Sequence, residues 1–356
     1  MPDPILYLKA SISAFVASAM IVLAFRLVVR SSVHSIAAVT CVLAVSVGLA
    51  TGYSVLQFSW TWPPANSLNR FLTIVLPATL ILELMTGISG GRKKVSQRLS
   101  GRKNNLPETR CVLGAWALAR VLCIVLRFAL YASVGRILLH GSVYLDGASC
   151  GNIDAWTFAQ TIAIFGGSLG GLIAVWSLLC RLAESSASGS ITLSLVMVVQ
   201  CTGLATMMAG YIKGGAAAFP LAAAVAGTSL LAQGCCGLDK RCLQGTIGIG
   251  VIGLFSLLSI GHYFGQLTSL RAFVLFLTPL LCWIGELPGL RSKPPWQRSA
   301  IRLIAVTIPV AAVLYFAKQD FDHKIGPLLA ASTSPHTGLH LSSGSNWKPQ
   351  GSPVLR

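Results

Sequence analysis

Four charged side chains interrupt long apolar stretches of the sequence, and their chemical types suit binding of ions or polar solutes. Glu83 lies in FLTIVLPATLILELMTG, Glu286 lies in FVLFLTPLLCWIGELPG, and Arg120 and Arg127 lie together in WALARVLCIVLRFALY. A carboxylate in apolar surroundings can bind a proton or a cation, and a guanidinium can bind a substrate anion. We therefore predict that these four residues bind a substrate or an ion. No residue is predicted to be catalytic.

Pairs of opposite charge are expected among these residues. A charge at the centre of a bilayer costs about 2.5–3.5 kcal/mol, and an opposite charge on a neighbouring helix offsets much of that cost. We expect Glu83 to pair with Arg120, across the hairpin of the third and fourth apolar runs, and Glu286 to pair with Arg302 across a short loop. The charges are then either a functional site or structural ion pairs that fix the helix register. Alternatively, the glutamates extend toward the lipid headgroups.

The two glutamate stretches share a spacing of residues. In each of them a proline, Pro77 or Pro279, follows six residues after a phenylalanine, and a glycine follows ten residues after the proline. A proline within a helix frees a backbone carbonyl and permits a kink, so both helices are predicted to be irregular. The common spacing is either the remnant of a duplication, as in many transporters, or a coincidence.

The elements that position these charges are membrane helices, as the composition shows. The chain has 356 residues, of which 54% are hydrophobic and only 10% are charged, and its mean hydropathy is +0.72. A soluble domain usually has about 25% charged residues and a substantial polar exterior. The composition therefore excludes a soluble globular protein and predicts an integral membrane protein.

Ten apolar runs are long enough to cross a bilayer as helices, which takes about 20 residues each. Barrel strands would be about half as long and would alternate in polarity, so the runs favour helices. We predict an all-α bundle of about ten transmembrane helices over residues 1–317, followed by a disordered polar tail at 318–356. The predicted runs are about 5–29, 33–57, 71–89, 112–139, 156–181, 190–212, 215–236, 243–264, 271–290 and 301–317.

The distribution of charge predicts the orientation of the bundle. The net charge is +17, and most of the 27 lysines and arginines fall in alternate loops, chiefly in 90–110 and 291–302. Cytoplasmic loops carry an excess of lysine and arginine. We therefore predict a multi-pass protein of the cell membrane with these two loops in the cytoplasm and both termini outside.

The most basic segment, GRKKVSQRLSGRKNN, raises the question of a nucleic-acid partner. Its cations could contact phosphates, but it lacks the interleaved aromatic residues of a single-strand binding surface. A loop that contacts anionic lipid headgroups explains the same charges. The expected partners are thus the bilayer, its anionic headgroups and a small-molecule solute, with no nucleic acid.

Neither a metal site nor a cofactor is predicted. The cysteines of CCGLDKRC do not have the usual zinc-ligand spacing, and no histidine is near them. GIGVIG, at 248–253, matches the pattern of a dinucleotide-binding loop, but it has no preceding strand and no acidic residue about 20 positions later. The match is therefore accidental.

Glycines in membrane helices more often allow neighbouring helices to approach closely. We apply this interpretation to GIGVIG and to the fifth run, where the glycines repeat at a spacing of four residues. Both helices are predicted to pack tightly in the centre of the bundle. The glycines of the fifth run are Gly166, Gly167, Gly170 and Gly171.

Three functions fit these features. The first is a secondary transporter of a small solute that uses the buried charges, and the second is a structural or accessory subunit of a membrane assembly. The third, a membrane-embedded enzyme that modifies lipid, is disfavoured because the sequence has no nucleophile constellation or metal motif. The residues available for catalysis are scattered: His140, Asp146, Asp154 and His262.

Overall fold

The computed structural model describes residues 4–28, 34–58, 61–91, 107–146, 156–185, 188–234 and 243–324. Within these ranges the chain is helical and contains no strand. Ten of the described helices are long and apolar enough to cross a membrane, which confirms the predicted helical bundle. The location of the two termini stays a prediction.

Seven of the ten helices in the described ranges are continuous α-helices, and three consist of consecutive segments. The continuous helices are α1 (Pro4–Val28), α2 (His34–Val55), α4 (Pro107–Leu139), α5 (Phe158–Ser185), α6 (Ser188–Met208), α8 (Gln244–Tyr263) and α10 (Pro295–Lys324). The composite helices are α3 (Ser67–Arg70, Phe71–Val75 and Leu76–Gly91), α7 (Ile212–Ala216 and Ala218–Gly234) and α9 (Ser269–Leu277 and Thr278–Glu286). We call the end of the bundle at which α3 ends and α10 begins the basic end, because the basic segments 90–110 and 291–302 connect to the helices there, and we call the other the opposite end.

The helices α7 and α8 form the centre of the bundle. In their most apolar windows, 83% of the residues of α8 and 72% of those of α7 are buried, against 17% in α5 and 22% in α1 and α4. The central α8 contacts helices α2 to α7 and also α9. Any polar group that these surrounding helices direct inward therefore lies near α8.

Glycine explains the position of α8 but not that of α5. A side chain at Gly250 or Gly253 would collide with Leu195 or Leu221 of the adjacent helices, so the predicted close packing of α8 is confirmed. The prediction is wrong for α5, a peripheral helix in which a Cβ atom added to Gly166, Gly167 or Gly170 would meet no other atom within 4 Å. Only Gly171 is in close contact, with the ring of Phe276.

The two helices that contain the glutamate stretches, α3 and α9, are irregular near their prolines, whereas α10 continues as an α-helix through Pro309. In α3 the segment Phe71–Val75 is a π-helix that ends two residues before Pro77. In α9 the α-helix ends at Leu277, and the chain continues as a 3₁₀-helix with Pro279 in its first turn. Because proline lacks an N–H, both departures from α-helical hydrogen bonding occur where the sequence predicts them.

The chain divides into two compact units, residues Met1–Lys318 and Gln319–Arg356. The first unit contains α1 to α9 and most of α10, and every contact discussed below lies within it. Residues 325–356 lie outside the described residues, so the disorder predicted for the tail stays a prediction.

Candidate functional site

A buried ion pair joins Glu83 of α3 to Arg127 of α4. The distance from Glu83 Oε1 to Arg127 Nη2 is 2.6 Å, and the hydroxyl of Thr86 donates to the other carboxylate oxygen at 3.2 Å. Glu83 is 2% exposed and Arg127 is 13% exposed. The described partner of Glu83 is thus Arg127. The pairing expected with Arg120 stays a prediction, because the side chain of Arg120 lies outside the described residues.

The sequence of α4 explains why Arg127 faces inward. Cys123, Tyr131, Val134 and Leu138 are buried, and with Arg127 they form a stripe at spacings of three and four residues. Four large apolar residues between these positions are exposed on the surface of the bundle, where lipid surrounds a membrane protein: Ile124, Val125, Leu126 and Phe128. Arg127 is therefore a cation placed on the inward face of a helix whose other faces suit lipid.

The backbone of α8 provides the space for the Glu83 carboxylate. A Cβ atom at Gly248 would overlap Glu83 Oε1, and one at Gly245 would lie 3.6 Å from Glu83 Cβ. Any side chain at Gly248 would therefore displace the carboxylate from its position against the backbone of α8. GIGVIG, which matches the dinucleotide-binding pattern by chance, thus accommodates the carboxylate of Glu83.

Two aromatic side chains cover the ion pair. The guanidinium carbon of Arg127 lies 4.3 Å from the ring centre of Trp176 in α5, a cation–π geometry, and Tyr131 contacts the same indole edge-on at 6.2 Å. Tyr131 Oη and Trp176 Nε1 are both buried, and neither has a hydrogen-bond partner in the described part of the chain. Buried polar atoms are usually paired, so each of these two atoms could form a further hydrogen bond. We call Tyr131 and Trp176 together the aromatic layer.

A second ion pair joins Glu286, the last residue of α9, to Arg302 of α10, as predicted. The distance from Glu286 Oε1 to Arg302 Nη2 is 2.7 Å, and Arg302 Nη1 donates to the hydroxyl of Ser190 at 3.1 Å. Arg302 is 1% exposed and is the largest of the fully buried side chains among the described residues. A Cβ at Gly285 would collide with its guanidinium, so Arg302 is enclosed by backbone as well as side chains.

A cavity of about 700 Å³ lies at the opposite end of the bundle, between α4, α5, α8 and α9. Gly135 of α4 and Gly171 of α5 line its inner part, together with the rings of Phe255 and Phe276. Gly135 lies one helical turn from Tyr131, which lies one turn from Arg127. The Tyr131 and Trp176 layer therefore separates the cavity from the first ion pair.

Aromatic rings cluster at the outer part of this cavity. The ring centres of Tyr144, Trp156 and Tyr263 are 5.3 to 5.6 Å apart, and all three residues line the cavity. His262 also lines it, and its Nδ1 lies 2.8 Å from the carbonyl oxygen of Leu267. Sequence reasoning missed this cavity, and the signal that could have found it is the group of glycines in α5, whose absent side chains form part of its wall.

The residues considered for catalysis do not form a constellation in the described part of the chain. The carbonyl oxygen of His140 accepts a hydrogen bond from Arg70, and His262 belongs to the cavity. The side chain of Asp146 and the whole of Asp154 lie outside the described residues. Among the described residues, no group of three or more histidine, cysteine or acidic side chains has a metal-binding arrangement.

Comparison with known proteins assigns no family to this chain. No model of a protein family, no curated protein and no solved structure matches it. The two ion pairs and the cavity therefore carry the functional interpretation.

Proposed function

We propose that the chain is a secondary transporter of a small solute. It lies in the cell membrane with segments 90–110 and 291–302 in the cytoplasm, where their cations contact anionic lipid headgroups, and with both termini outside. The charge distribution supports this orientation, because lysine and arginine are concentrated at the basic end. The solute enters the cavity at the opposite end.

The observation that carries this proposal is the alignment of three features along α4. The cavity reaches Gly135, the aromatic layer includes Tyr131, and the buried ion pair includes Arg127. Gly135, Tyr131 and Arg127 follow one another at intervals of one helical turn, about 6 Å. A transporter needs a solute site, a barrier that opens and closes, and a charged group that couples the barrier to an ion, and this order supplies all three.

The ion pair can act as the coupling element by exchanging partners. A proton or cation bound to Glu83 removes its attraction for Arg127, and an anion bound to Arg127 removes its attraction for Glu83. Either event changes the position that the guanidinium prefers against Trp176, and therefore the packing of Tyr131 against the same ring. A ligand shifts a conformational equilibrium only by binding the two states differently, and a neutralised pair meets this condition.

Arg120 and Glu286 have different places in the proposal. By its spacing in the sequence Arg120 shares a helix face with Arg127, two turns toward the basic end, and it is proposed to receive a substrate anion after Arg127. Glu286 is already held by the enclosed Arg302, so its binding role is proposed to be secondary.

A second candidate function, a structural subunit of a membrane assembly, is favoured by the Glu286 and Arg302 pair. Arg302 is fully buried between Gly285, Ser190 and Glu286 and has no space in which to exchange partners. If both pairs served only to fix helix register, removal of either glutamate would destabilise the fold without a separate effect on transport.

The test uses proteoliposomes that contain a pH-sensitive dye and are held under a potassium diffusion potential. Sugars, amino acids, nucleosides, organic anions and lipid alcohols are added in turn, and the proton movement that each causes is recorded. We expect at least one solute to drive proton movement in the wild type, and Glu83→Gln to reduce it more than 20-fold in protein that remains folded. Glu286→Gln is the control, and its flux per folded molecule should stay near that of the wild type.

Two results would overturn the transporter proposal. One is the absence of solute-driven flux from the wild type across the whole panel. The other is a Glu83→Gln protein with wild-type flux, since the coupling pair would then be dispensable. If both glutamate variants merely lower thermal stability, the structural candidate is supported instead.

A further inference from the structure

We infer that the cavity at the opposite end binds one neutral lipid alcohol, an amphipathic molecule with an apolar body and a hydroxyl head. Binding itself is independent of the two ion pairs. Identification of the bound alcohol as the transported solute does rest on the proposed function. Four properties of the cavity lead to this ligand class: its size, its gradient of polarity, its hydrogen-bonding groups and its thin wall.

The size suits a single lipid-sized molecule. Cavities that bind small molecules have volumes of about 300–1,000 Å³ and are mostly apolar with a few placed polar groups. The cavity of about 700 Å³ lies within this range and has the same composition. It is far larger than the space that a metal ion or a single water molecule takes up.

The polarity of the lining changes along the cavity. On α8 the inner residues Phe255 and Leu258 are apolar, whereas Ser259 and His262, nearer the end of the helix, are polar. On α9 the order is the same, with Ser269 at the mouth and the apolar residues deeper in the bundle. The gradient extends over roughly 12 Å on each helix. A lipid in the adjacent leaflet has this orientation, with its head at the surface and its apolar part inward.

The mouth offers hydrogen bonds that suit a hydroxyl group. A carbonyl oxygen only accepts, so His262 Nδ1 must carry the hydrogen that it shares with Leu267, and in neutral histidine Nε2 is then an acceptor. Ser259 and Ser269 also line the cavity, and a serine hydroxyl can both donate and accept. A ligand hydroxyl can donate to His262 Nε2 and accept from a serine.

The charge of the described lining favours a neutral ligand. The described lining includes no aspartate, glutamate, lysine or arginine. A charged group without an opposite charge is costly to move into an apolar site. The closest ion pair, that of Glu83 and Arg127, is separated from the cavity by Tyr131 and Trp176.

The wall formed by α5 is thin and lies at the periphery of the bundle. Gly167 and Gly171 line the cavity, whereas Gly166 and Gly170, one position earlier, do not. Gly167 is exposed, like Gly166 and Gly170, so the cavity is open to the surface of the bundle beside it. The helix α5 packs on the 3₁₀ segment of α9, and the cavity lies alongside the α-helical part, Ser269–Leu277. A lipid in the bilayer therefore needs to pass only a strip of glycines between two peripheral helices.

Retinol provides a direct test, because it is an alcohol with an apolar body and accepts excitation energy from tryptophan, such as Trp156 at the mouth. Purified full-length protein in detergent is titrated with retinol, and quenching of tryptophan emission is recorded. We expect saturable binding of one molecule per chain. Gly167→Leu should weaken this binding at least tenfold by filling the cavity, whereas the matched control Gly166→Leu should stay within twofold of the wild type. Neither position has an atom within 4 Å of an added Cβ, so both variants should fold.

The head group is tested with retinoic acid, which has the same apolar body and a carboxylate in place of the hydroxyl. We expect it to bind at least tenfold more weakly than retinol. Ser259→Ala together with His262→Phe should reduce the difference between the two compounds, because these changes remove the groups that recognise a hydroxyl. Equal affinity of the wild type for the two compounds would overturn the assignment of a neutral alcohol.

Other outcomes separate this inference from the proposed function. Retinol binding that is absent, or unaffected by Gly167→Leu, would overturn the site itself. Retinol binding should persist in Glu83→Gln, because the ion pair does not line the cavity. Binding without flux would therefore contradict only the transporter proposal, and flux without binding of any lipid alcohol would contradict only the present inference.

Discussion

The two buried ion pairs have the same chemistry and different surroundings. In each pair, a glutamate of an irregular helix contacts an arginine of the next membrane helix along the chain. The distance is 2.6 Å for Glu83 and Arg127 and 2.7 Å for Glu286 and Arg302. In the first pair the carboxylate of Glu83 is the buried partner, and the guanidinium of Arg127 stacks on Trp176 beside a layer that leads to the cavity. In the second pair the guanidinium of Arg302 is enclosed, and Glu286 is the more exposed partner, at 11%.

This difference shows that a buried ion pair does not by itself indicate a function. Removing one partner is most costly when the charge left behind is fully enclosed, because it can no longer be solvated. The charge left by loss of Glu286 is enclosed, whereas the charge left by loss of Glu83 retains an aromatic partner and partial exposure. We therefore assign a mainly structural role to the second pair and a mainly functional role to the first.

The largest expected effect is that of Glu286→Gln on stability. The substitution leaves the guanidinium of Arg302 buried without a carboxylate and should lower the free energy of unfolding by about 3–5 kcal/mol. Reversible unfolding in mixed detergent micelles measures the change. Glu286→Gln combined with Arg302→Met should recover part of the loss, because the orphaned charge is removed as well. A loss below that of Glu83→Gln would reverse the structural assignment.

The second expected effect concerns the contact between the Glu83 carboxylate and the backbone of α8 at Gly248. Gly248→Ala places a methyl group against the carboxylate and should lower the free energy of unfolding by about 1–3 kcal/mol, the usual cost of overpacking. The same measurement on Gly166→Ala, in the open part of α5, should show no loss. Equal stability of the two variants would mean that the contact between Glu83 and α8 is not close.

The third expected effect is that of Glu83→Gln, which should lower the free energy of unfolding by about 1–2 kcal/mol. The amide retains a hydrogen bond to Arg127, and the guanidinium keeps its contact with Trp176, so the cost is near that of one weakened charged hydrogen bond. The unfolding assay and the flux assay are carried out on the same preparation. A small loss of stability together with a large loss of flux is the signature of a functional pair.

The smallest expected effect is the loss of the cation–π contact between Arg127 and Trp176, tested with Trp176→Leu. That contact should be worth about 0.5–1 kcal/mol of the free energy of unfolding, apart from the cost of the lost apolar volume. The informative readout is the double-mutant cycle with Arg127→Met, which isolates the coupling between the two side chains. A coupling energy of zero would show that the indole does not hold the guanidinium.

Local patterns predicted several parts of the site correctly. Glu286 and Arg302 are joined by a short loop, so their helices must be adjacent, and the two side chains are in contact. The prolines of α3 and α9 marked the irregular segments because the effect of a missing N–H is local. The partner of Glu83 was not predicted, since Arg120 and Arg127 share one face of α4 and differ only in depth.

The glycines also show that a local sequence pattern does not determine which helices become neighbours. The glycines of α5 and α8 favour close packing equally well by sequence, yet only α8 is surrounded by other helices. A glycine removes a side chain, and the neighbouring helices decide whether the space is filled by a residue or left as a cavity wall.

The sequence by itself determined that this protein is a bundle of ten membrane helices with charges buried among them. Hydrophobicity and helix length are properties of each segment alone, and the cost of an unpaired charge in the membrane requires a partner nearby. Only the tertiary structure decided that Arg127 contacts Glu83, that α8 is central, and that a cavity lies between α4, α5, α8 and α9. These features depend on the depth, rotation and divergence of helices relative to one another, which are set by the packing of all ten together.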